Sequence, residues 1–403
     1  MKLKKGRYRY NGFCKNWKLV KLGNIVEINP KSLLPRKFKY VDLESVVGTK
    51  LIYYREEIRE SAPSRAQRVA KKGDVFYQMV RPYQKNNFLF DINESDFVFS
   101  TGYAQLRPQC DSAFLLARLQ EEGFINKVLE RSTGTSYPSI NSKDLSRISL
   151  TIPQDIEEQS VIGSLFRTLD DLLASYKDNL TNYQSLKATM LSKMFPKAGQ
   201  SVPEIRLDGF EGEWKEVQLS DICKKVIEKN KDNDFNETFT NSAEFGIINQ
   251  RDFFDKDISN EKSLNTYYVV RSNDFVYNPR ISNYAPVGPV KRNKLGRTGV
   301  MSPLYFVFRV VNSNIDLDFL ETFFDTNIWH KFMKLNGDSG ARSDRFAIKD
   351  SIFLKMPIVF PSITEQQAIG AYFSNLDKLI SSYQEKISQL ETLKKKLLQD
   401  MFI

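Results

Sequence analysis

Histidine occurs once in these 403 residues, as His330, and cysteine three times. A single histidine cannot build a His-rich zinc centre or complete a Ser/His triad, so His330 reads as structural. Cys14, Cys110 and Cys223 are widely separated, with no pair at metal-ligand spacing. That pattern excludes a disulfide framework and fits a reduced, cytoplasmic protein. No run of about 18 apolar residues occurs, which argues against a membrane-spanning helix. The basic start Met1-Lys2-Leu3-Lys4-Lys5 is followed by no apolar signal region, so export is not expected either. No G-x-x-x-x-G-K-[ST] loop occurs, which excludes a P-loop motor.

What the chain does have is positive charge. Lys and Arg exceed Asp and Glu by 10, and the isoelectric point is about 9.2. Such an excess favours an anionic partner, most commonly nucleic acid. A basic protein docking an acidic one is the alternative. Hydrophobic residues at 41% and charged residues at 27% are ordinary for a folded chain, and the length allows two domains with separate cores.

The chain repeats itself at an interval of 207 residues. Glu158-Gln159-Ser160-Val161-Ile162-Gly163 returns as Glu365-Gln366-Gln367-Ala368-Ile369-Gly370, and Met194-Phe195 returns as Met401-Phe402. Phe166, Leu169, Asp170, Tyr176 and Lys187 reappear as Phe373, Leu376, Asp377, Tyr383 and Lys394. Fainter matches open each half (Trp17-Lys18, Trp214-Lys215) and continue through Gly73-Asp74-Val75-Phe76-Tyr77 and Asn273-Asp274-Phe275-Val276-Tyr277. A repeat of this length is a duplicated module, not a solenoid.

Short aromatic and β-branched runs such as 74–77, 97–100 and 305–308 predict strands, and 3.6-residue spacing predicts one helix per half over 112–131 and 316–335. Each half is therefore expected to be an α+β globule followed by a long helix. Steps of four and three place Ile162, Phe166, Leu169, Leu173, Tyr176 and Leu180 on one seam, and Ile369, Phe373, Leu376, Ile380, Tyr383 and Ile387 on another. This is the heptad spacing of a coiled coil, and with a whole globule between the two helices an antiparallel pair is expected. A helix of about 40 residues is roughly 60 Å long, too long to bury its stripe on a small globule. Lys187 and Lys394 interrupt the seams at equivalent places; a lysine there can fix register at a cost in stability, and the favoured reading is that both snorkel to solvent. The expected boundaries are 1–151, helix 152–196, linker 197–209, 210–357 and helix 358–403. The predicted shape is a rod with a globule at each end and an approximate twofold between them.

With these features the chain resembles the specificity subunit of type I restriction-modification systems. The resemblance rests on the globule–helix–globule–helix order, on I-P-Q-D-I-E-E-Q-S-V-I-G (152–163) and F-P-S-I-T-E-Q-Q-A-I-G (360–370), on G-T-S-Y-P-S-I-N-S-K-D-L (134–145), and on the L-L-Q-D-M-F-I terminus. It implies that each globule is a target recognition domain reading one half of a bipartite site in double-stranded DNA, with the paired helices as spacer. It further implies two methyltransferase subunits, which use S-adenosylmethionine to modify adenine N6, and motor/nuclease subunits that use ATP and Mg. It implies no cofactor and no catalytic residue in this chain. The repeat agrees, because fixed ends with divergent middles suit a frame that carries two different readers.

Two motifs mislead. Asn278-Pro279-Arg280 imitates the Asn-Pro-Pro-aromatic element of amino-methyltransferases but lacks the second proline and the aromatic that would stack on a flipped base. Glu213-Trp214-Lys215 imitates an acidic-x-Lys nuclease element, yet its counterpart Asn16-Trp17-Lys18 has no carboxylate, so strand packing explains it better. Base readout calls for Arg, Lys, Asn, Gln or Ser on loops, with aromatics to stack. The candidates are Gln78, Arg81, Tyr83, Lys85, Asn86, Thr135, Ser136 and Tyr137 in the first half. In the second half they are Arg280, Ser282, Asn283, Tyr284, Ser339, Arg342, Ser343 and Arg345. Each is also compatible with an ordinary polar loop. Arg36, Lys37 and Lys39 suit phosphate or solvent. Two other classes remain open here: a self-sufficient methyltransferase or nuclease, and a coiled-coil adaptor without a DNA role.

Overall fold

The computed structural model describes Phe13 and residues 15–253, 261–338 and 344–402. The chain divides into two compact units, Met1–Asn179 with Tyr383–Ile403, and Leu180–Ser382. The two long helices, Ile156–Lys193 and Ile363–Met401, each contribute residues to both units.

The first unit is built on a four-stranded antiparallel sheet in the order Val26–Ile28, Tyr103–Pro108, Val75–Gln78, Phe88–Leu89. A second four-stranded sheet runs Arg55–Ile58, Lys37–Val41, Phe97–Ser100, Ala66–Val69, with one parallel pairing between Lys37–Val41 and Phe97–Ser100. The second unit repeats the first of these sheets strand for strand, as Cys223–Lys225, Phe306–Val310, Phe275–Tyr277, Val290–Arg292. In place of the other it has two short antiparallel pairs, Phe239–Ser242 with Gly246–Asn249 and Tyr268–Val270 with Gly299–Met301. In each unit the Trp-Lys segment forms a strand paired with the one leading into a long helix: Lys18–Lys21 with Ser149–Ile152, and Lys215–Gln218 with Pro357–Phe360.

Chemistry explains why these residues recur. Asp74 is buried between strands and accepts Arg107 Nε and Nη2, each at 2.9 Å; Asp274 accepts Arg309 Nε and Nη2 at 2.6 and 2.8 Å. A buried carboxylate is tolerable only when so paired. The residue before each aspartate has positive φ, +92° at Gly73 and +70° at Asn273, a region that glycine and asparagine enter at least cost.

The E-Q-x-x-I-G element docks each long helix onto a short one. Gln159 Oε1 accepts Asp111 N (3.0 Å) while its Nε2 donates to Pro153 O (2.9 Å), and Gln366 does the same with Asp316 N (2.9 Å) and Pro361 O (3.0 Å). Asp111 and Asp316 cap the helices Ser112–Leu119 and Leu317–Asp325. A Cβ on Gly163 would lie 2.5 Å from Phe114 N and 2.6 Å from Asp111 Oδ1; one on Gly370 would lie 2.9 Å from Asp316 Oδ1. Only glycine permits that approach.

The helix expected over 112–131 is two, Ser112–Leu119 and Glu122–Leu129, because the Glu121 carboxylate accepts Gly123 N and Phe124 N and starts a new helix. The one expected over 316–335 is also two, Leu317–Asp325 and His330–Asn336, broken where Thr326 turns extended and its hydroxyl bonds back to Phe323 O.

The seams are buried at Ile162, Phe166, Leu169, Leu173, Ile369, Phe373, Leu376 and Ile387, and half-buried at Tyr176, Leu180, Ile380 and Tyr383. Not all of this stripe waits for another long helix, as length alone suggested. Ile162, Phe166 and Leu169 enter the first unit's own core beside Phe114 and Phe402, and Ile369, Phe373 and Leu376 enter the second unit's core beside Phe319 and Phe195. Phe402 lies 5.8 Å from the rings of both Phe114 and Phe166, and Phe195 lies 5.4 Å from Phe319. Burying such a side chain contributes about 1.5–3 kcal/mol. Farther along, helix meets helix. In the first unit Asp170 pairs with Lys394, Lys177 with Glu391 (2.6 Å), and the Tyr176 and Tyr383 rings are 5.3 Å apart, so the two segments run antiparallel. In the second unit Lys187 bonds Asp377 at 2.6 Å. The seam lysines therefore do not snorkel to solvent. Each is held by the aspartate that the repeat places on the facing helix.

Candidate nucleic-acid interface

In the first unit the chain leaves the central strand Val75–Gln78 into a turn that the sequence singled out. Arg81 (φ 53°, ψ 55°) and Lys85 (φ 58°, ψ 28°) both adopt the left-handed conformation on either side of the 3-10 turn Pro82–Gln84. Left-handed backbone at two residues with side chains is a stored cost that persists only where surroundings fix it. Here they do. Gln78 N donates to Asn87 Oδ1 (2.8 Å), Gln78 Nε2 to Gln84 Oε1 (2.9 Å), and Asn86 N to Gln78 Oε1 (3.2 Å). Arg81 N donates to Pro138 O (2.8 Å), tying this turn to the second candidate cluster. That cluster is a hairpin closed by reciprocal 2.9 Å bonds between Thr133 and Ser139, with Thr135, Ser136 and Tyr137 exposed on it. The Arg81 guanidinium lies 4.2 Å from the centroid of the Tyr137 ring, which is itself 62% exposed.

The second unit has the same frame with different contents. Phe346 N donates to Pro279 O (2.7 Å) and Ile281 N to Asp344 O (3.1 Å), bridging Arg280 to Arg345. Asp338 and Ala347 exchange bonds of 2.9 and 2.6 Å, the counterpart of the Thr133–Ser139 pair. Reciprocal 3.1 Å bonds between Ser282 and Ala285 form a tight loop with Asn283 and Tyr284 at its tip; Tyr284 is 85% exposed. Arg280 Nη2 lies 3.9 Å from Asp344 Oδ2. Ser339, Arg342 and Ser343 lie outside the described residues.

The two clusters in each half are thus brought together by the fold, although more than 50 residues separate Arg81 from Tyr137, and Arg280 from Arg345. Within them the side chains take different parts. Gln78 is 2% exposed and braces the turn from beneath. Lys85 Nζ is committed to Glu122 (2.6 Å), and Asn86 Oδ1 accepts Gly48 N (2.9 Å). Arg81, Tyr83, Thr135, Ser136 and Tyr137 keep accessible surface, as do Arg280, Ser282, Asn283, Tyr284 and Arg345. The sequence reading missed Gln84 and Asn87, which hold the turn. Pro82 after Arg81 and the Asn86-Asn87 pair were the turn signal that pointed there.

Other singled-out residues are structural. Asn278 Nδ2 donates to Asn241 O (2.8 Å) and its Oδ1 accepts Arg280 N (3.0 Å), a turn that supports the interface. Trp214 is buried against Phe195 and Phe319. Burial, aided by Lys334, holds the His330 imidazole below its ordinary pKa and so neutral. Burial pushes the Cys110 and Cys223 thiols up to about 12, too high for a nucleophilic thiolate at neutral pH. Lys39 does not wait for phosphate. It bonds Glu94 with Asp96 3.8 Å away, and the Glu94 hydrogen bond raises its pKa. Among the described residues no group of three His, Cys, Asp or Glu side chains is placed to hold a metal, and no helix is long and apolar enough to cross a membrane.

Residues 14–182 and 211–392 each match the family model described as the type I restriction modification DNA specificity domain. The chain is 28% identical over 153 residues to the type I restriction enzyme HindI specificity subunit of Haemophilus influenzae, covering 37% of this chain. It is 24% identical over 303 residues, 71% of this chain, to the putative type I restriction enzyme MjaX specificity subunit of Methanocaldococcus jannaschii. The matches span 30% and 65% of the lengths of these two relatives. In fold it is similar to the crystal structure of a type I restriction-modification S subunit from M. genitalium, with a TM-score of 0.61 over 99% of both chains at 13% identity.

Proposed function

The chain belongs to the type I restriction-modification DNA specificity family, and from that premise we propose that it is the non-catalytic subunit that reads a bipartite site in double-stranded DNA. Each unit reads one half-site through the paired loops that follow its central strand. The observation that carries this reading is the recurrence of one loop frame with different contents: Arg81, Tyr83 and Tyr137 in one unit, Arg280, Tyr284 and Arg345 in the other. A constant frame with variable side chains is what two readers of unlike half-sites require. The net charge of +10 suits a phosphate backbone.

The long helices act in this proposal as an antiparallel coiled-coil spacer, supported by the buried seams and by the reciprocal Lys187–Asp377 and Lys394–Asp170 pairs. Two methyltransferase subunits dock on the complex and carry S-adenosylmethionine. Motor/nuclease subunits, where present, bring ATP and Mg. The chain's own residues supply binding and orientation alone, and its place is the cytoplasm, with the DNA. Mapping N6-methyladenine in DNA exposed to the chain with its methyltransferase partners tests the reading. The expected result is a motif of two half-sites separated by a fixed gap; methylation or cleavage by the purified chain alone would overturn it.

A further inference from the structure

The loops of the first unit hold one arginine in a way that specifies more than DNA contact. Most structural arginines here are spent on carboxylates, as Arg107 is on Asp74, Arg309 on Asp274 and Arg206 on Glu365. Arg280 has Asp344 nearby. Among the described residues no carboxylate pairs with Arg81; its guanidinium instead lies over the exposed Tyr137 ring, 4.2 Å from the centroid. A guanidinium held over an aromatic face keeps N–H donors free and restricts where they point. Its backbone is fixed as well, by the left-handed φ of 53°, by Pro82 immediately after it, and by the 2.8 Å bond from Arg81 N to Pro138 O. The ring beneath is placed by the Thr133–Ser139 hairpin, in which Gly134 has φ +90° and little room before Tyr137 O.

Resting on the DNA-reading role proposed above, we propose that Arg81 is a base-reading residue of the first unit, its free fork donating to O6 and N7 of a guanine, with Tyr137 as the platform that positions it. The major-groove edge of guanine offers two adjacent acceptors that match a planar fork, which the single ammonium of a flexible lysine does not provide. Strain at Arg81 fits this role, because a preset donor loses less freedom when it binds. A phosphate contact is the competing source of the same chemistry.

The experiment uses the full chain assembled with its methyltransferase partners, unvaried or carrying Arg81→Gln, Arg81→Lys or Tyr137→Leu. Binding is measured by competition against duplexes in which each base pair of each half-site is replaced in turn, at two salt concentrations. For Arg81→Gln and Arg81→Lys, discrimination at a single G·C pair of one half-site should fall roughly ten- to hundred-fold. Tyr137→Leu should weaken discrimination at that same pair, and recognition of the other half-site should stay intact and so report that each variant is folded. Uniform weakening across all duplexes with a shallower salt dependence would assign Arg81 to phosphate and overturn the inference. So would an unchanged preference at every position, or full retention by Arg81→Lys. If the unvaried complex shows no bipartite preference at all, the DNA-reading role itself fails and this inference with it.

Discussion

Gly163 and Gly370 sit where a long helix crosses the capped start of a short one, and the space for a methyl group is taken at both. In an ordinary helix interior, replacing glycine with alanine gains about 0.5–1 kcal/mol. Here the new Cβ would press within 2.5 Å of Phe114 N in one unit and 2.9 Å of Asp316 Oδ1 in the other. Gly163→Ala and Gly370→Ala should each therefore destabilise the protein by about 1–3 kcal/mol, the cost of overpacking. Denaturant unfolding decides it by sign, since a gain in stability would mean that the helix crossing is loose. The repeat marked both glycines as important, but their reason lay in Asp111 and Asp316, some 50 positions away in sequence. Gln78 shows the opposite failure. Its residue type and its place beside a loop suggested contact with DNA, and only burial reveals that it serves Gln84 and Asn86.

Among elements, periodicity disclosed the long helices and their stripe but not which surface each part of the stripe meets. Phe166 and Phe373 share the heptad with Tyr176 and Tyr383, yet the first two feed the globular cores and the last two face each other. Periodicity records which face is apolar; a contact 200 residues distant leaves no local trace. The seam lysines are the sharpest case. Lys394 meets Asp170 with about a fifth of each side chain exposed, so the pair is screened less than a surface pair. Lys394→Glu should destabilise the first unit by setting two carboxylates together, and Asp170→Lys should do likewise with two ammonium groups. The double variant restores an opposite-charge pair. A double-mutant cycle in denaturant should return a coupling energy of about 0.5–3 kcal/mol. Strict additivity of the two single effects would show that the pair contributes nothing.

For the whole molecule, the parts shared by the two copies are the parts that build. The Asp–Arg strand pair, the Gln that clasps Asp111 or Asp316, and the terminal Phe195 and Phe402 all recur, whereas the residues around Arg81 and Arg280 do not. That division was visible in the sequence as constant ends and divergent middles, and the loops' common frame became visible only through hydrogen bonds between segments far apart. The spacer role proposed for the long helices makes the unread gap depend on their length. Seven residues added to each long helix, after Asn179 and after Ser382, lengthen each by about 10 Å. A heptad turns the apolar seam by only about 20°, so the seam continues through the insertion. At about 3.4 Å per base pair the unread gap should then grow by about three base pairs while both half-sites keep their sequences. Sequencing the methylated sites of the lengthened complex reads gap and half-sites together. The same seven residues placed in one helix alone leave about two turns without a facing partner and should cost assembly instead. A lengthened pair that still methylates the original gap would separate the helices from the spacing and return that task to the globules.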